Sequence, residues 1–444
     1  MTSFALSEDA RRAAETIRGA DIVIGIPSYN NARTIGHVVR AVSAGLAKYF
    51  SQMRAVVINS DGGSTDQTRD AVLSARVEDN HVMLLETPMM PAQRLSFPYH
   101  GVPGKGSAFR LVFAMAKELD AKACAVVDSD LRSITPEWID LLLRPVLFAG
   151  FDFVAPYYQR HKYDGTITNS IVYPLTRMLY GVSVRQPIGG EFGISARLLR
   201  RYLERRDWET DVARFGIDIW MTTVAIAEGY RVCQSFLGAK LHDAKDPGAD
   251  LSAMLEQVVG SVFILMQEYA PLWQERHGSK PAELFGFRFD VGLEPVPVNV
   301  ERMLQAFRRA CTDLREIWQT VLSPHTLSAI RRLGESADGN RGTFRLADEL
   351  WAEAVLDFAL AYRAHPLGRG LILRSLTPLY LARVASFVGE TEPLVAAEVE
   401  EKIEGLCQTF EALKPALARR WRGEPSEDAG AAADAEKNTA NLEV

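Results

Sequence analysis

Asp128-Ser129-Asp130 closes the apolar run Ala123-Cys-Ala-Val-Val127. Alternate residues of extended backbone point the same way, so both carboxylates converge at the strand's carboxyl edge. Two acids at one point need a cation, a pair of ribose hydroxyls or a proton. A hard divalent ion carrying a diphosphate meets that need; the plainer alternative is a loop start with two solvated acids. Upstream, Gly104-Lys105-Gly106-Ser107 sets a lysine between glycines where a helix begins, which suits a diphosphate. The stretch lacks the G-x-x-x-x-G-K-[ST] spacing of a P-loop. In Ser60-Asp61-Gly62-Gly63-Ser64-Thr65-Asp66 the glycines let backbone approach a ligand, and Asp61 can accept from a base N–H. Ser64 or Thr65 can cap the helix that follows. Far downstream, His242 follows the apolar segment ending Leu237-Gly-Ala-Lys240-Leu241. A neutral imidazole there would complete a mixed oxygen and nitrogen sphere for Mg²⁺ or Mn²⁺, provided the two segments meet.

The elements that must position these groups alternate. Strands are expected at 21–27, 54–59, 82–86 and 123–127, with helices at 7–19, 34–49 and 107–119 between them. Short apolar strands separated by helices predict a mostly parallel α/β sheet with helices on both faces. Ligands of such sheets sit beyond the carboxyl ends of the strands, where every motif above lies. Further strands are expected at 151–157, 190–195 and 231–242, and a helix within 208–227. From about 249 the pattern is helical through Leu417, with Trp and Leu at core spacing. The division that follows is a catalytic domain over 1–248, a helical subdomain over 249–422 and a disordered tail over 423–444.

Composition narrows the class. A net charge of −6 gives no sign of nucleic acid or an anionic membrane as partner. Four scattered cysteines without C-x-x-C spacing fit a reducing, cytoplasmic compartment. No apolar signal segment opens the chain, and the apolar run at Val258–Met266 falls short of the roughly 20 residues a span requires.

Pro27-Ser-Tyr29-Asn30, Asp61-Gly-Gly-Ser-Thr-Asp66, Gly104-Lys-Gly106 and Asp128-Ser-Asp130, in this order, resemble the GT-A nucleotide-sugar glycosyltransferases. Gln186-Pro-Ile-Gly-Gly-Glu191-Phe-Gly193, Phe215-Gly-Ile-Asp218 and the run through His242 to Asp246-Pro247 narrow the likeness. They resemble the glucosyl-3-phosphoglycerate and glucosylglycerate synthases, with mannosylglycerate synthase more distant. The resemblance implies a GT-A fold and a hexosyltransferase using a UDP- or GDP-sugar. Asp61 would hold the base, Lys105 the diphosphate and Asp128 the ribose. Pro27, Tyr29, Asn30, Ser129 and Glu191 complete the implied donor contacts. Asp130 and His242 would hold Mg²⁺ or Mn²⁺, and Asp218 the hydroxyls of the donor sugar. Gly165-Thr166-Ile167-Thr168 would face the carboxylate of a small anionic hydroxy acid.

The phosphoglycerate enzymes carry an arginine where this chain has Thr166, and an arginine suits a phosphate by bidentate contact. Arg160, His161, Lys162 and Arg177 lie near enough in sequence to replace it. Free glycerate and 3-phosphoglycerate are therefore both implied acceptors, with products of the compatible-solute kind. Transfer would retain the anomeric configuration, with Lys105, Asp130 and Asp218 as catalytic residues. The rival enzyme reading is an inverting transferase with Asp218 as general base; the rival outside catalysis is a nucleotide-sugar-binding scaffold. The oligomeric state, a homodimer included, is open from sequence.

Overall fold

The computed structural model describes residues 6–75, 93–98, 104–210, 212, 214, 216–241, 252–289, 291–336 and 344–424. The chain forms two compact units that interleave in sequence. The first takes Met1–Thr168, Val182–Leu265 and Lys280–Pro297; the second takes Asn169–Gly181, Met266–Ser279 and Val298–Val444.

The strands of the first unit are β1 (Ile22–Ser28), β2 (Ala55–Asp61), β3 (Gln93–Pro98), β4 (Ala123–Val126), β5 (Phe153–Gln159), β6 (Val182–Ser183), β7 (Phe192–Ser195), β8 (Val232–Ala239), β9 (Lys280–Pro281) and β10 (Glu283–Phe285). Eight form one sheet in the order β10-β8-β5-β7-β4-β1-β2-β3, and β6 pairs with β9 apart from it. Every pairing in the large sheet is parallel except those of β7 with β4 and β5. The predicted mostly parallel α/β sheet is the observed one. β1 and β2 are buried along their whole length, as strands covered on both faces must be.

Alternation sorts the strand residues between the faces. Ile22, Ile24 and Ile26 of β1 join Val57, Ala125 and Val127 in a core with Val38 and Val42 of the helix Ile35–Tyr49 and Trp138, Ile139 and Leu142 of the helix Pro136–Phe148. On the other face Gly25 meets the helix Lys105–Glu118. A Cβ there would stand 2.5 Å from Val112 Cγ1, so only glycine lets that helix lie this close. The contact sets the height at which Lys105 meets the sheet edge.

The strand expected at 82–86 lies outside the described residues; β3 at Gln93–Pro98 is a strand the pattern did not predict. One expectation is revised. β10 lies within the stretch expected to be helical; three residues are too few to show a period. Its Phe285 packs edge-on against Phe151 at 5.4 Å between ring centroids. The expected tail lies outside the described residues from 425 onward.

The second unit is helical and contains Tyr173–Tyr180, Val300–Asp313, Asp348–Ala364, Arg369–Thr391 and Ala396–Arg422. Trp273, Trp318 and Trp351 are buried core residues, as their spacing predicted. Each indole N–H donates to a backbone carbonyl, of Met266, Ser375 and Ser170 respectively. Arg369–Thr391 is long and apolar enough to cross a membrane, but 67% of its apolar window is buried inside the structure. Its Arg383 pairs with Asp348. Arg177 engages Glu404 and Glu411, and Lys414 donates to the carbonyls of Met178 (2.6 Å) and Leu179 (3.1 Å). None of the four cysteines forms a disulfide.

Candidate active site

The ends of β1, β2, β4, β5 and β8 meet at one edge of the sheet. β7 runs the other way, so the loop entering it comes to the same edge. A cleft of about 840 Å³ opens there, within the usual range for a small-ligand site. Its lining includes Pro27 and Tyr29 after β1, Gly62 and Gly63 after β2, Lys105, and Asp128, Ser129 and Asp130 after β4. Arg160, the segment Gly165–Thr168, Gly189, Gly190, Asp218 and Lys240 line it as well.

Lys105, first residue of its helix, sits between two acids. Its Nζ is 2.8 Å from Asp128 Oδ1 and 3.1 Å from Asp218 Oδ2. Asp218 belongs to the first turn of the helix Ile217–Ala227, where the helix dipole favours a negative charge. Its other oxygen, Oδ1, is buried and has no hydrogen-bond partner among the described residues. The far side of Asp128 meets a second lysine: Lys240 Nζ lies 3.0 Å from Asp128 Oδ2. The same ammonium donates to Gly189 O at 2.7 Å and to the two Glu191 oxygens at 2.9 and 3.0 Å. Tyr158 also donates to Glu191.

The charges tune one another. Burial works against both ammonium groups, yet the facing acids outweigh it and hold Lys105 and Lys240 above the ordinary lysine range. Burial also works against Asp128, and the two lysines override it, so this carboxylate stays well below its usual value. Burial pushes Glu191 well above the usual range; Lys240 opposes the push and Asp128 adds to it. Asp218 is raised, again by burial first, with Lys105 pulling the other way.

The Gln186–Gly193 motif owes its glycines to this geometry. A Cβ at Gly189 would stand 2.1 Å from Pro156 Cγ, and one at Gly193 2.0 Å from Leu142 O. At Gly190, where φ is +99°, it would stand 2.3 Å from Asp128 Oδ2. The helix carrying Asp218 is tied to the same loop by Thr222 Oγ1, which donates to Pro187 O at 2.7 Å.

Three residues expected among the donor contacts do not line the cleft. Asp61 is buried and accepts from the Ser28 hydroxyl, the Ser64 hydroxyl and the N–H groups of Gly63 and Ser64. With its acceptor positions used inside the loop, it shapes the backbone that brings Gly62 and Gly63 to the cleft. Asn30, at φ +53°, accepts from Thr65 N at 2.9 Å and so stitches the β1 and β2 loops together. Glu191 likewise does not line the cleft and serves Lys240. The segment Gly165–Thr168, expected to face the acceptor, does line it. His242 lies outside the described residues, but its neighbour Leu241 accepts from Arg132 N and donates to Ser133 Oγ, each at 2.9 Å. The described chain therefore reaches Leu241 beside the loop that follows Asp130.

Of the basic residues near Thr166, only Arg160 lines the cleft among the described residues. Its Nε is buried without a partner there, while a guanidinium nitrogen lies 3.8 Å from Asp164 and the group covers the Tyr158 ring at 5.2 Å. Arg177 is engaged by its two glutamates in the second unit. Lys240 is the charged cleft residue that sequence reasoning missed. Its signal was a lysine directly after a buried strand, two positions before the histidine.

The family model described as mannosylglycerate synthase, GT domain, matches residues 38–263. No curated protein matches the sequence. Among solved structures, the chain is similar to glucosyl-3-phosphoglycerate synthase from Mycobacterium tuberculosis in complex with Mn²⁺, UDP and phosphoglyceric acid. The identity is 23% over 57% of this chain and 81% of that one, with a TM-score of 0.42. The same enzyme with Mg²⁺ and UDP gives 20% over 60% and 84%, with a TM-score of 0.41. The family match spans just over half of the chain and takes in Lys105, Asp128, Asp218 and Lys240, so the chain belongs to the mannosylglycerate synthase GT-domain family and is a glycosyltransferase.

Proposed function

We propose that this enzyme transfers a hexose, glucose by the resemblance, from a nucleoside-diphosphate sugar to glycerate or 3-phosphoglycerate, with retention of configuration. The observation that carries the reading is Lys105 suspended between Asp128 and Asp218 in the cleft of a family glycosyltransferase. An incoming diphosphate competes with Asp218 for that ammonium. As Lys105 turns to the phosphates, Asp218 is released to accept hydrogen bonds from the sugar hydroxyls, and its unpartnered Oδ1 suits the same task. Lys105 then stabilises the leaving nucleoside diphosphate as negative charge builds on it. The acceptor's carboxylate or phosphate would lie against Gly165–Thr168, with Arg160 supplying the positive charge that Thr166 lacks. Its hydroxyl attacks the anomeric carbon from the face the diphosphate leaves, and a diphosphate oxygen takes the proton. No side chain is needed as base.

Asp130 with His242 would hold Mg²⁺ or Mn²⁺, the ions bound with UDP in the Mycobacterium tuberculosis structures. The donor set fits. Among the described residues no cluster of three or more acidic, histidine or cysteine ligands exists, and Mg²⁺ ordinarily takes one or two carboxylates together with substrate phosphates. When bound, the ion supplies electrostatic stabilisation of the diphosphate.

An inverting transfer is the second reading. Asp218 would be its base, and the upward push on that carboxyl together with its free Oδ1 suits the role. A panel of UDP- and GDP-linked glucose and mannose against glycerate, 3-phosphoglycerate and uncharged glycerol tests the proposal. Turnover confined to anionic acceptors is expected. Equal turnover of glycerol would refute the acceptor assignment.

A further inference from the structure

We infer that Lys240 is a positioning residue for donor transfer, fixing the rotamer of Asp128 through a buried Glu191–Lys240–Asp128 chain. The inference rests on the proposed donor site and adds a residue to which the resemblance gave no role.

Lysine has three donor hydrogens and no acceptor. Lys240 has three sets of acceptors around it: Asp128 Oδ2, Gly189 O and the Glu191 carboxyl. Its side chain is 5% exposed, and that of Glu191 is 0% exposed. A saturated ammonium has no hydrogen to offer a ligand, although the residue borders the cleft. Lys105 differs: among the described residues it has two acids as partners, which leaves a third hydrogen to give. The two lysines therefore divide the labour: one binds, the other holds Asp128 for it.

The surroundings are built for this hold. Gly190 leaves no room for a Cβ beside Asp128 Oδ2 and Lys240 Nζ, which would lie 2.3 and 2.9 Å away. Tyr158 fixes Glu191 from behind and lies under Lys240, 5.4 Å from ring centre to Nζ. Without Lys240, Asp128 loses the ammonium on its far side, and Lys105 can draw it along when that lysine turns to a diphosphate. The donor then meets a carboxylate with no fixed place.

Loss of a buried lysine also costs stability, so the test must separate the two effects. Lys240→Met leaves Glu191 uncompensated; Lys240→Met/Glu191→Gln removes both charges of the pair, and such double replacements restore stability. Thermal midpoint, donor KM and kcat are measured for wild type, Lys240→Met, Glu191→Gln and the double variant. Donor kcat/KM of Lys240→Met should fall about tenfold or more, the scale of one charge-assisted hydrogen bond. The double variant should regain midpoint yet keep the low kcat/KM. Glu191→Gln, which leaves Lys240 on Asp128, should stay within about threefold of wild type by the same measure. Recovery of kcat/KM together with the midpoint in the double variant would overturn the inference. So would a loss in Glu191→Gln equal to that in Lys240→Met. A wild-type chain that neither binds nor turns over any nucleotide sugar would instead refute the donor site itself.

Discussion

Gly190→Ala is the most informative single perturbation of the cleft. Two costs can be worked from the structure. At φ +99° an L-residue is strained, at about 1–3 kcal/mol. The new methyl would also stand 2.3 Å from Asp128 Oδ2 and 2.9 Å from Lys240 Nζ. It must part that pair, which adds about 1.5–3 kcal/mol for a charge-assisted hydrogen bond. Gly229→Ala is the control: φ there is +77° with nothing within 4 Å of a Cβ, so it bears the strain alone. The difference between the two variants isolates the clash. At about 2–4 °C per kcal/mol for a unit of this size, Gly190→Ala should melt about 3–12 °C below Gly229→Ala. It should also lose about tenfold or more in donor kcat/KM, while Gly229→Ala keeps wild-type kinetics. Thermal denaturation and donor saturation curves on the three proteins provide the comparison. Equal midpoints and equal kcat/KM for the two variants would refute the claim that Gly190 makes room for the Asp128–Lys240 pair.

Other outcomes follow from the same geometry. Lys105→Met should cut donor kcat/KM by about tenfold to a hundredfold, the worth of one charge-assisted contact; an unchanged value would make the lysine a bystander. Arg160→Met should raise the KM for anionic acceptors with donor KM unmoved, and Thr166→Arg should shift preference towards 3-phosphoglycerate; a donor effect from Arg160→Met would misplace the acceptor. In the second unit, burial lowers Lys414 to about 8, against the pull of Glu411. Unfolded lysine keeps its proton to about 10.4, so between these values the unfolded state binds more protons and stability rises with pH. Denaturant midpoints at pH 7.5 and 9.5 should show that rise in wild type and a flatter line in Lys414→Met; equal slopes would contradict it.

The site's outline was legible because its chemistry is local in sequence. Asp128 and Asp130 advertise themselves at the end of a wholly apolar strand, and Lys105 at the start of a helix. What escaped notice is what depends on long-range pairing. Lys240 and Glu191 are 49 positions apart, and a buried lysine looks like any other until its acceptors are in place. Asp61 carries the right atoms for a base contact, but its immediate neighbours satisfy them first. β10 is too short to declare a period. The chain's excursions Asn169–Gly181 and Met266–Ser279 into the second unit leave no mark in composition.

The central claim is a retaining transfer from a nucleotide sugar to a small hydroxy acid. Proton NMR of the product formed from an α-linked donor and glycerate reads the anomeric coupling directly. An α-linked glycoside is expected, formed with Mg²⁺ or Mn²⁺ and lost in excess EDTA. A β-linked product would contradict the account and make Asp218 the general base; an α-linked product formed at full rate in EDTA would remove the metal from it.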